Sequence, residues 1–452
     1  MTSPISRRSF LSRCALLAAA APLSQLGGMP GSGSPGAALS GRGVRAHRRQ
    51  GRDFLWGTAG SAYQMEGGNV ASDVWVLEHM KPSIFVEPSG DADDVYHRFE
   101  GDLALAASLG FNAHRLSIEW SRIEPEPGQI SLAELAYYRR VLEACHRHGL
   151  APVVTFNHYT VPRWFAAAGG FETEAGIEPF VRYCETVTQH LGELITVAAT
   201  FNEPNINALL SWSPAIQKML PMIAAFRKAA TQAGGSAQWS SPMLADFRVQ
   251  QPILIQAHAK AYDAITRLSQ GRFPVGVTLS LTDDRPADGS GGVERKRAQV
   301  LTPWLQAPGD FVGVQVYTSA VVGANAELPP TAGVELTQMG YPYAPEALEG
   351  VIRMVAQQTR RPIYVTENGI ATEDDTRRIA FIRGAVDGML KCIADGIDVR
   401  GYMHWSLLDN WEWTSGYRPK FGLVEVDRTT FARTPKPSAN YLGQIARKGK
   451  IA

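Results

Sequence analysis

The chain has 452 residues, of which 45% are hydrophobic and 19% are charged, a balance typical of a globular protein with a large buried core. Its 44 basic and 43 acidic residues leave a net charge of +1, which provides no overall field to attract nucleic acid or an anionic membrane. Length alone allows two or three domains or one large α/β barrel. The charge balance does not exclude small neutral molecules as ligands.

The first 50 residues differ in composition from the rest of the chain. The pair Arg7 and Arg8 in "SRRSFL" precedes the apolar stretch "CALLAAAAPL", and a segment rich in Gly, Ser, Pro and Ala follows. This order resembles a twin-arginine export signal. It predicts a signal peptide and flexible linker over residues 1–50, the twin-arginine machinery as a partner, and a periplasmic or extracellular location. A disordered tail with a chance Arg pair is the alternative. Because the apolar stretch is shorter than the ~20 residues of a membrane-spanning helix, no stable membrane insertion is expected.

The cysteines predict no disulfide framework. Cys14 lies in the predicted signal, and Cys145, Cys184 and Cys392 remain, an odd number without CxxC or metal-ligand spacing. Such a set is expected if folding finishes in the reducing cytoplasm before export. We expect each of the three to be a small apolar packing residue.

From residue 53 onward, short β-rich runs alternate with longer helical patterns. One of these, "SLAELAYYRRVLEACHRHG", opens with a capping signature at Ser131 and Glu134 and closes on Gly149; a last one lies near "SANYLGQIARKG". Eight strands separated by helices predict an α/β fold, a single (β/α)₈ TIM barrel over residues 51–452. A doubly wound sheet is the alternative, although no Gly-rich phosphate-binding turn follows the first strand. The predicted strands are residues 54–61, 113–120, 151–157, 196–202, 274–281, 310–317, 362–368 and 400–407.

The longest stretch without a clear period runs from about Asn205 to Phe247. An irregular loop of this length is usually functional or disordered. Its large side chains allow two interpretations, a wall of a binding site or local packing of the loop on itself. They are Trp212, Met219, Met222, Trp239 and Met243.

Polar residues collect at the predicted carboxyl ends of the strands, where a barrel of this kind carries its active site. One polar strand end would be unremarkable, but so many at one face of a barrel indicate a site. They are Gln64 and Glu66 after the first strand, Arg115 and Glu119 in the second, Asn157 and His158 at the third, Asn202 and Glu203 at the fourth, Tyr317 at the sixth, Glu367 and Asn368 at the seventh, and Trp405, Glu412 and Trp413 at or after the eighth.

Two of these carboxylates stand out because each is accompanied by Asn at a strand terminus, Glu203 in "FNEPN" and Glu367 in "VTENG". In a barrel, strands four and seven lie across the mouth, so the two side chains can face each other over a bound molecule. Such a pair suits glycoside hydrolysis, in which one carboxyl attacks the anomeric carbon and the other protonates the leaving oxygen. Arg115 is a candidate for keeping one of them ionised, while burial would keep the other protonated.

A structural ion pair and a metal site are the alternatives for this carboxylate pair. The ten His residues include no HExxH motif and no compact His/Asp cluster at the strand ends, which disfavours a metal. Serine chemistry is also disfavoured because no GxSxG motif is present. His158 by itself is equally well explained as a satisfied structural histidine.

The stretch "HWSLLDNWEWTSGY" places Trp405, Trp411 and Trp413 beside Asp409 and Glu412. Tryptophans are ordinarily core residues. Aromatic faces mixed with carboxylates nevertheless suit a sugar ring, whose C–H face is apolar and whose hydroxyls need acceptors.

Taken together, these stretches resemble glycoside hydrolase family 1, the retaining β-glucosidase and β-galactosidase family, from about Phe54 to the C-terminus. The resemblance implies a (β/α)₈ barrel that cleaves a terminal non-reducing β-glycosyl unit with retention and needs no cofactor. By position, Glu203 is similar to the family's acid/base and Glu367 to its nucleophile. The matching stretches are "FLWGTAGSAYQMEGG", "HRLSIEWSRIEPEPG", "TFNHYTVPRWF", "TFNEPN", "YVTENG" and "WSLLDNWEWTSGYRPKFGLVEVD".

The same resemblance implies roles for the residues around the two carboxylates. Arg115 and Tyr317 match the family residues that hydrogen-bond and orient the nucleophile. The residues that match those gripping the glycone hydroxyls are Gln64, His158, Asn202, Trp405, Glu412 and Trp413, with Phe421 close by.

The chain departs from the family pattern in two places. The sixth strand reads "GVQVY" where many members read "GINYY", so Gln315 and Val316 replace Asn and the first Tyr, while Tyr317 is kept. The third strand ends in "NHYTVP" instead of "HWDLP", which alters a wall of the glycone site. Glu412 is retained where phospho-glycosidases carry Ser, and Glu203 where myrosinases carry Gln. The resemblance therefore implies neither a 6-phosphate substrate nor an external base.

The sequence thus predicts an exported, retaining, exo-acting β-glycosidase that hydrolyses terminal β-D-glucosyl or β-D-galactosyl residues through a covalent glycosyl-enzyme intermediate. A small or oligosaccharide β-glycoside is the expected partner, and no nucleic acid is expected. Two alternatives stay open: a carbohydrate-binding barrel without turnover, and a transglycosidase that uses the same intermediate. The sequence leaves open the aglycone, the preference among glucose, galactose and fucose, the signal cleavage site and the oligomeric state.

Overall fold

Eight parallel strands close into a barrel in the computed structural model, which describes residues 54–449. The predicted signal and linker, residues 1–50, lie outside the described residues. The strands are β1 (Leu55–Ala59), β2 (Ala113–Ser117), β3 (Ala151–Asn157), β4 (Val197–Asn202), β5 (Val275–Pro286), β6 (Phe311–Val322), β7 (Ile363–Asn368) and β8 (Val399–Trp405). Each pairs with the next in chain order, and β8 pairs with β1 to complete the ring. The (β/α)₈ barrel expected from the sequence is confirmed.

At least one helix follows every barrel strand and returns the chain to the start of the next. The helix at 132–147 begins after Ser131, whose Oγ accepts a hydrogen bond from the N–H of Glu134 at 3.3 Å, as the capping signature predicts. Within residues 54–449, no helix combines the length and the apolar character needed to cross a lipid bilayer. The helices are α1 (Ala62–Met65), α2 (Asp73–His79), α3 (Val95–Leu109), α4 (Trp120–Ile123), α5 (Leu132–Arg147), α6 (Arg163–Ala167), α7 (Ile177–Leu191), α8 (Ile206–Leu210), α9 (Pro214–Ala233), α10 (Phe247–Ser269), α11 (Gly292–Val300), α12 (Thr302–Gln306), α13 (Ala347–Gln358), α14 (Asp375–Ala394) and α15 (Pro437–Lys448).

Shorter elements complete the described structure. Two strands, β9 (Val424–Val426) and β10 (Arg433–Pro435), pair antiparallel after the barrel. Single 3₁₀ turns cover Gly170–Glu172, Glu174–Gly176, Gly192–Leu194 and Trp413–Ser415.

The expectation of one long irregular stretch from Asn205 to Phe247 is wrong. These residues include α8 and the 20-residue helix α9. Pro214 lies in the first turn of α9, where its missing N–H costs nothing, but Pro221 lies inside the helix, where proline normally disfavours helical structure. The surrounding Ala, Met and Leu residues have high helix propensity, and the helix continues through Pro221.

Two apolar layers hold the barrel together. The outer layer lies between strands and helices, where Phe180 of α7 stacks on Phe201 of β4 with ring centroids 4.4 Å apart. The inner layer fills the lower part of the barrel. There a Cβ on Gly57 would lie 2.5 Å from Sδ of Met403, so only glycine lets β1 approach its neighbours this closely. The inner layer includes Ala113, Val153, Val197, Phe311, Tyr364 and Met403.

The three described cysteines are packing residues, as expected. Cys145, Cys184 and Cys392 lie in α5, α7 and α14, and all three are buried, unpaired thiols. Burial raises the pKa of each thiol, which keeps it protonated and unreactive.

Irregular strand pairing directs the side chains of Glu203 and Glu367 toward the mouth of the barrel. Ile363 and Val365 of β7 belong to the outer layer, so strict alternation would send Glu367 outward as well. The pairing of β7 with β8 shifts between Val365 and Asn368, and Glu367 points inward. The pairing of β4 with β5 shifts in the same way between Ala199 and Asn202, just before Glu203. Bulges of this kind commonly re-aim side chains next to active sites.

Candidate active site

A cavity of about 1180 Å³ opens at the carboxyl ends of the barrel strands. Ten of the eleven predicted site residues line it, and the remaining one, Arg115, is fully buried behind them. Side chains from strands far apart in the sequence therefore meet in one place. The ten are Gln64, His158, Asn202, Glu203, Tyr317, Glu367, Trp405, Glu412, Trp413 and Phe421.

Glu367, near the end of β7, is held by three hydrogen-bond donors. Arg115 Nη1 donates to its Oε1 at 2.5 Å, Gln315 Nε2 donates to the same oxygen at 2.9 Å, and Tyr317 OH donates to Oε2 at 2.5 Å. Burial raises the pKa of Glu367 above its ordinary value, while the charge of Arg115 and the bond from Tyr317 oppose that rise. The carboxylate is thus fixed in direction and has its countercharge in contact.

The same guanidinium also fixes Asn202 at the end of β4. Arg115 Nη2 donates to the amide oxygen of Asn202 at 2.5 Å, and Gln315 Nε2 donates to that oxygen at 2.9 Å. Because the amide oxygen is engaged in this way, the amide nitrogen is the group that Asn202 offers to a ligand in the cavity.

Glu203 lies one residue beyond β4, where the backbone turns out of the sheet. Its N–H donates to the carbonyl of Thr278 at 2.9 Å, and its own carbonyl accepts from the N–H of Ile206 at the start of α8. Its φ of 43° is in the left-handed region, which non-glycine residues rarely adopt. Pro204, which has no N–H to donate, follows in the turn.

The surroundings of Glu203 favour its protonated form. One of its hydrogen-bond donors is the phenol of Tyr159, whose OH donates to Oε2. Burial and the negative charge of Glu367 raise the pKa of Glu203 to about 8, opposed by hydrogen bonds from Tyr159 and Ser280 and by the charge of Arg115.

The two carboxyl groups therefore differ in how readily they lose a proton. Arg115 is hydrogen-bonded to Glu367, so the first proton to leave the pair leaves that residue. The negative charge that results helps to hold the second proton on Glu203. One carboxyl group in contact with a cation and a second that holds its proton more strongly, both facing the same cavity, match the division of roles that glycoside hydrolysis requires.

Three cavity residues hold left-handed backbone conformations. Tyr159, Glu203 and Trp413 have φ values of 69°, 43° and 51°. Each such residue costs about 1–3 kcal/mol and persists only where the surrounding structure determines it. Their concentration around one cavity fits a site whose side chains are positioned at the expense of local stability.

An aromatic wall forms one side of the cavity. The ring of His158 lies nearly parallel to those of Trp405 and Trp413, with interplanar angles of 19° and 14°. Burial and the charge of Arg115 lower the pKa of His158 well below its ordinary value, so the imidazole is neutral. A neutral ring with one donor and one acceptor nitrogen suits an uncharged hydroxyl-bearing ligand.

Glu412 is the third carboxyl group of the cavity. Trp405 Nε1 donates to its Oε1 at 3.1 Å. Burial raises the pKa of Glu412 to about 8; the bond from Trp405 opposes this rise and the charge of Glu367 adds to it. Near neutral pH its carboxyl group is mainly protonated and can both donate and accept a hydrogen bond.

Gln64, in α1 just after β1, is locked in place by its own hydrogen bonds. Its Nε2 donates to Asn410 Oδ1 at 3.0 Å and to the carbonyl of Trp411 at 2.9 Å, and its Oε1 accepts from Ser61 Oγ at 2.7 Å. The amide is therefore a rigid part of the cavity wall.

The expectation that all the polar strand-end residues share one site is wrong for four of them, Glu66, Glu119, Asn157 and Asn368, which do not line the cavity. Each has structural partners away from the cavity; Glu66, for example, accepts from Arg122 and Tyr138, and Glu119 accepts from the N–H of Ser121 at the start of α4. In the stretch "HWSLLDNWEWTSGY", Asp409 and Trp411 do not line the cavity either, and Trp411 is a buried core residue, as tryptophan ordinarily is.

The large residues of the stretch 205–247 divide between the two interpretations. Trp212, Met219 and Met243 line the cavity, whereas Met222 and Trp239 do not. Trp239 is buried against Gly234, where a Cβ would lie 2.0 Å from its ring.

Tyr159 and Gln315 contact the two carboxylates, and no role was predicted for either. Tyr159 donates to Glu203, and Gln315 bridges Glu367 and Asn202. Both lie in the two stretches that depart from the family pattern, "NHYTVP" and "GVQVY". Those departures were the available signal, but only the geometry connects each residue to its carboxylate.

The titratable side chains do not suggest a metal centre. Among residues 54–449, no group of three or more His, Cys, Asp and Glu side chains is arranged to hold a metal ion. The closest charged contact of Glu367 is the guanidinium of Arg115.

Comparison with known proteins identifies the family. The model of glycosyl hydrolase family 1 matches residues 47–304 and 302–451. Beta-glucosidase A of Acetivibrio thermocellus is 26% identical over 442 residues, which cover 87% of this chain and 97% of the relative.

Two solved structures are more similar in sequence. A structure of beta-glucosidase 1317 is 63% identical, with a TM-score of 0.87 over 88% of this chain and 98% of that one. The crystal structure of beta-glycosidase BGL167 is 47% identical, with a TM-score of 0.81 over 89% of this chain and 98% of that one.

Replacing Tyr159 by Phe should raise the pKa of Glu203 further above about 8, because the phenol bond that favours the ionised form is lost. Infrared difference titration measures this pKa through the carboxyl band that Glu203→Gln removes. Tyr341→Phe, which changes another cavity tyrosine, is the control and should leave the pKa of Glu203 unchanged. An unchanged midpoint in Tyr159→Phe would contradict the assigned contact.

Proposed function

The chain belongs to glycosyl hydrolase family 1, and from this premise we propose that it is a retaining, exo-acting β-glycosidase. Its substrates are β-glycosides with a terminal non-reducing β-D-glucosyl residue, and β-D-galactosyl is the second glycone proposed. The observation that carries the proposal is the pair of carboxyl groups in one cavity, Glu367 in contact with Arg115 and Glu203 buried beside the phenol of Tyr159.

In the first step, Glu367 attacks the anomeric carbon of the terminal sugar while Glu203 donates its proton to the glycosidic oxygen. The C–O bond to the aglycone breaks, and the aglycone leaves as an alcohol. A covalent glycosyl ester on Glu367 remains. Arg115 and Tyr317 hold the attacking carboxylate in line and stabilise its charge before the attack.

In the second step, Glu203 is ionised and acts as a base. It takes a proton from a water molecule, which attacks the anomeric carbon and displaces Glu367. The sugar leaves with the configuration that it had in the substrate, and both carboxyl groups return to their starting protonation. No redox partner or external base is needed.

We assign binding of the glycone, the terminal sugar, to the remaining predicted residues. Glu412 and His158 offer uncharged donors and acceptors to sugar hydroxyls, and Asn202 offers its amide nitrogen. Trp405 and Trp413 provide aromatic faces for the apolar side of the ring. Gln64 completes the polar wall, and Phe421, which lies against Tyr317 with ring centroids 5.7 Å apart, closes the cavity beside the nucleophile.

We also propose that the enzyme is exported by the twin-arginine machinery to the periplasm or the exterior. The order of an Arg pair, a short apolar stretch and a Gly- and Ser-rich linker in residues 1–50 supports this location. Three buried, unpaired thiols are compatible with a protein that folds before export.

Glu203→Ala should lower kcat for an unactivated alkyl β-glucoside by about 10²–10⁴, because the leaving alkoxide is no longer protonated. The loss should be much smaller in the first step with a dinitrophenyl β-glucoside, whose leaving group needs no acid. Glu367→Ala should abolish turnover of both substrates, since no covalent intermediate can form.

Steady-state rates and mass spectrometry of a fluoroglucoside-trapped enzyme measure these outcomes. Glu373→Ala, which removes an exposed carboxylate outside the cavity, is the control. Normal turnover in either cavity variant, or a covalent label on a residue other than Glu367, would contradict the assigned roles. Tight sugar binding without turnover in the unaltered protein would favour the binding-protein alternative.

Export is tested with the full-length chain in a bacterial host that has a twin-arginine pathway. Changing Arg7 and Arg8 together to Lys should leave the protein in the cytoplasm, whereas Arg13→Lys, a matched change outside the pair, should not. Immunoblots of periplasmic and cytoplasmic fractions measure the distribution. Equal export of the double variant would contradict the proposed route.

A further inference from the structure

The cavity is larger than one sugar ring requires. Its volume of about 1180 Å³ exceeds the roughly 300–1,000 Å³ of pockets that hold a whole drug-sized ligand. The predicted sugar-binding residues occupy the part next to Glu203 and Glu367. The rest of the wall includes α8, α9 and the residues just before and at the start of α10, together with side chains from other elements such as Gln299, Asn325 and Tyr341. Apolar side chains predominate in the part formed by α8, α9 and the residues up to the start of α10.

Helix α9 presents an apolar stripe to this outer part of the cavity. Ile216, Met219, Leu220 and Ile223 are spaced i, i+3, i+4 and i+7, so they share one face of the helix, and all four line the cavity. In contrast, the side chains of α9 that are buried by protein are Phe226 and Ala230. Leu220 is 56% exposed. The stripe is therefore open toward the space that leads to the catalytic carboxylates.

The cationic residues near the stripe are already engaged. Arg227 is paired with Glu172 at 2.7 Å and Arg248 with Asp246 at 3.0 Å. The guanidinium of Arg295 donates to main-chain carbonyl groups, including that of Ser290 at 2.8 Å. Because these arginines already have partners, the surface around the stripe presents mainly hydrocarbon to a ligand and little unpaired positive charge.

We propose that the aglycone of the preferred substrate is an extended hydrocarbon, an alkyl chain, that lies along the stripe of α9. The inference rests on the proposed function, because a β-glucosyl unit held at Glu203 and Glu367 directs its aglycone away from the carboxylates and into the outer cavity. An alkyl chain in this place removes apolar surface of both partners from water. A sugar aglycone on the same face of α9 would instead place hydroxyl groups against four apolar side chains that offer them no hydrogen bonds.

The test compares kcat/KM for ethyl, hexyl and octyl β-D-glucopyranoside and for cellobiose, all at concentrations below micelle formation. The simple alkanols differ little in acidity, so differences among the alkyl glucosides report contacts of the chain. Full burial of a methylene corresponds to about a fourfold gain. We expect octyl to exceed ethyl by at least about tenfold, since the chain is only partly enclosed, and to exceed cellobiose as well.

Two matched serine variants locate the effect on the helix. Ile223→Ser should lower the octyl-to-ethyl ratio of kcat/KM several-fold, because it puts a hydroxyl in the stripe. Lys218→Ser, which makes the same product residue on the opposite, exposed face of α9, should leave that ratio unchanged. Circular dichroism of both variants confirms that the helix content is kept, and Met219→Ser provides a second change in the stripe if Ile223→Ser does not fold.

The outcomes separate this inference from the proposed function. If ethyl and nitrophenyl β-glucosides are not hydrolysed, the glycosidase proposal fails. If they are hydrolysed but octyl is no better than ethyl, or the ratio does not respond to Ile223→Ser, only the alkyl inference is overturned. A dimer that Ile223→Ser dissociates without changing the ratio would also overturn it and would assign the stripe to contact between two copies of the chain.

Discussion

The site depends on one buried cation, the guanidinium of Arg115. A charge removed from water costs several kcal/mol unless it is paired and hydrogen-bonded, and breaking such a pair costs about 3–5 kcal/mol. Arg115 is fully buried, and its two terminal nitrogens contact Glu367 and Asn202. Its position follows from the strand period: Ala113 of β2 belongs to the inner layer, so Arg115, two residues on, points into the barrel as well. The cation thus joins the strands that carry the two carboxyl groups of the cavity, Glu203 and Glu367.

Environment, and not residue type, separates the roles of Glu203 and Glu367. Both are buried glutamates beside asparagine, and each accepts a hydrogen bond from a tyrosine phenol, but Glu367 also contacts the guanidinium of Arg115. The charge on Glu367 then raises the pKa of Glu203. The irregular pairing of β4 and β7 that aims these side chains, and the left-handed backbone at Glu203 and Tyr159, carry a cost in stability that the two apolar layers of the barrel must offset.

Much of this arrangement follows from sequence patterns, and the exceptions have physical causes. Alternating short strands and helices predict the barrel, and its geometry brings the strand ends together. Helix α9 is missed because Pro221 normally disfavours a helix, whereas the neighbouring residues favour it. Glu66 and Glu119 resemble site residues in sequence, but whether a buried carboxylate faces a cavity or a structural partner such as Arg122 depends on tertiary contacts. The contact of Tyr159 with Glu203 joins two strand ends and has no local sequence signal.

The stereochemistry of the reaction distinguishes the proposed roles of the two carboxyl groups, because a nucleophilic Glu367 and an acidic Glu203 give two displacements at the anomeric carbon. Proton NMR of an aryl β-D-glucopyranoside during the first minutes of hydrolysis distinguishes the anomers before they equilibrate. We expect β-D-glucose to form first and the α-anomer to appear later by mutarotation. Release of α-D-glucose as the first product would require a single displacement by water and would contradict the assignment of Glu367 as the nucleophile.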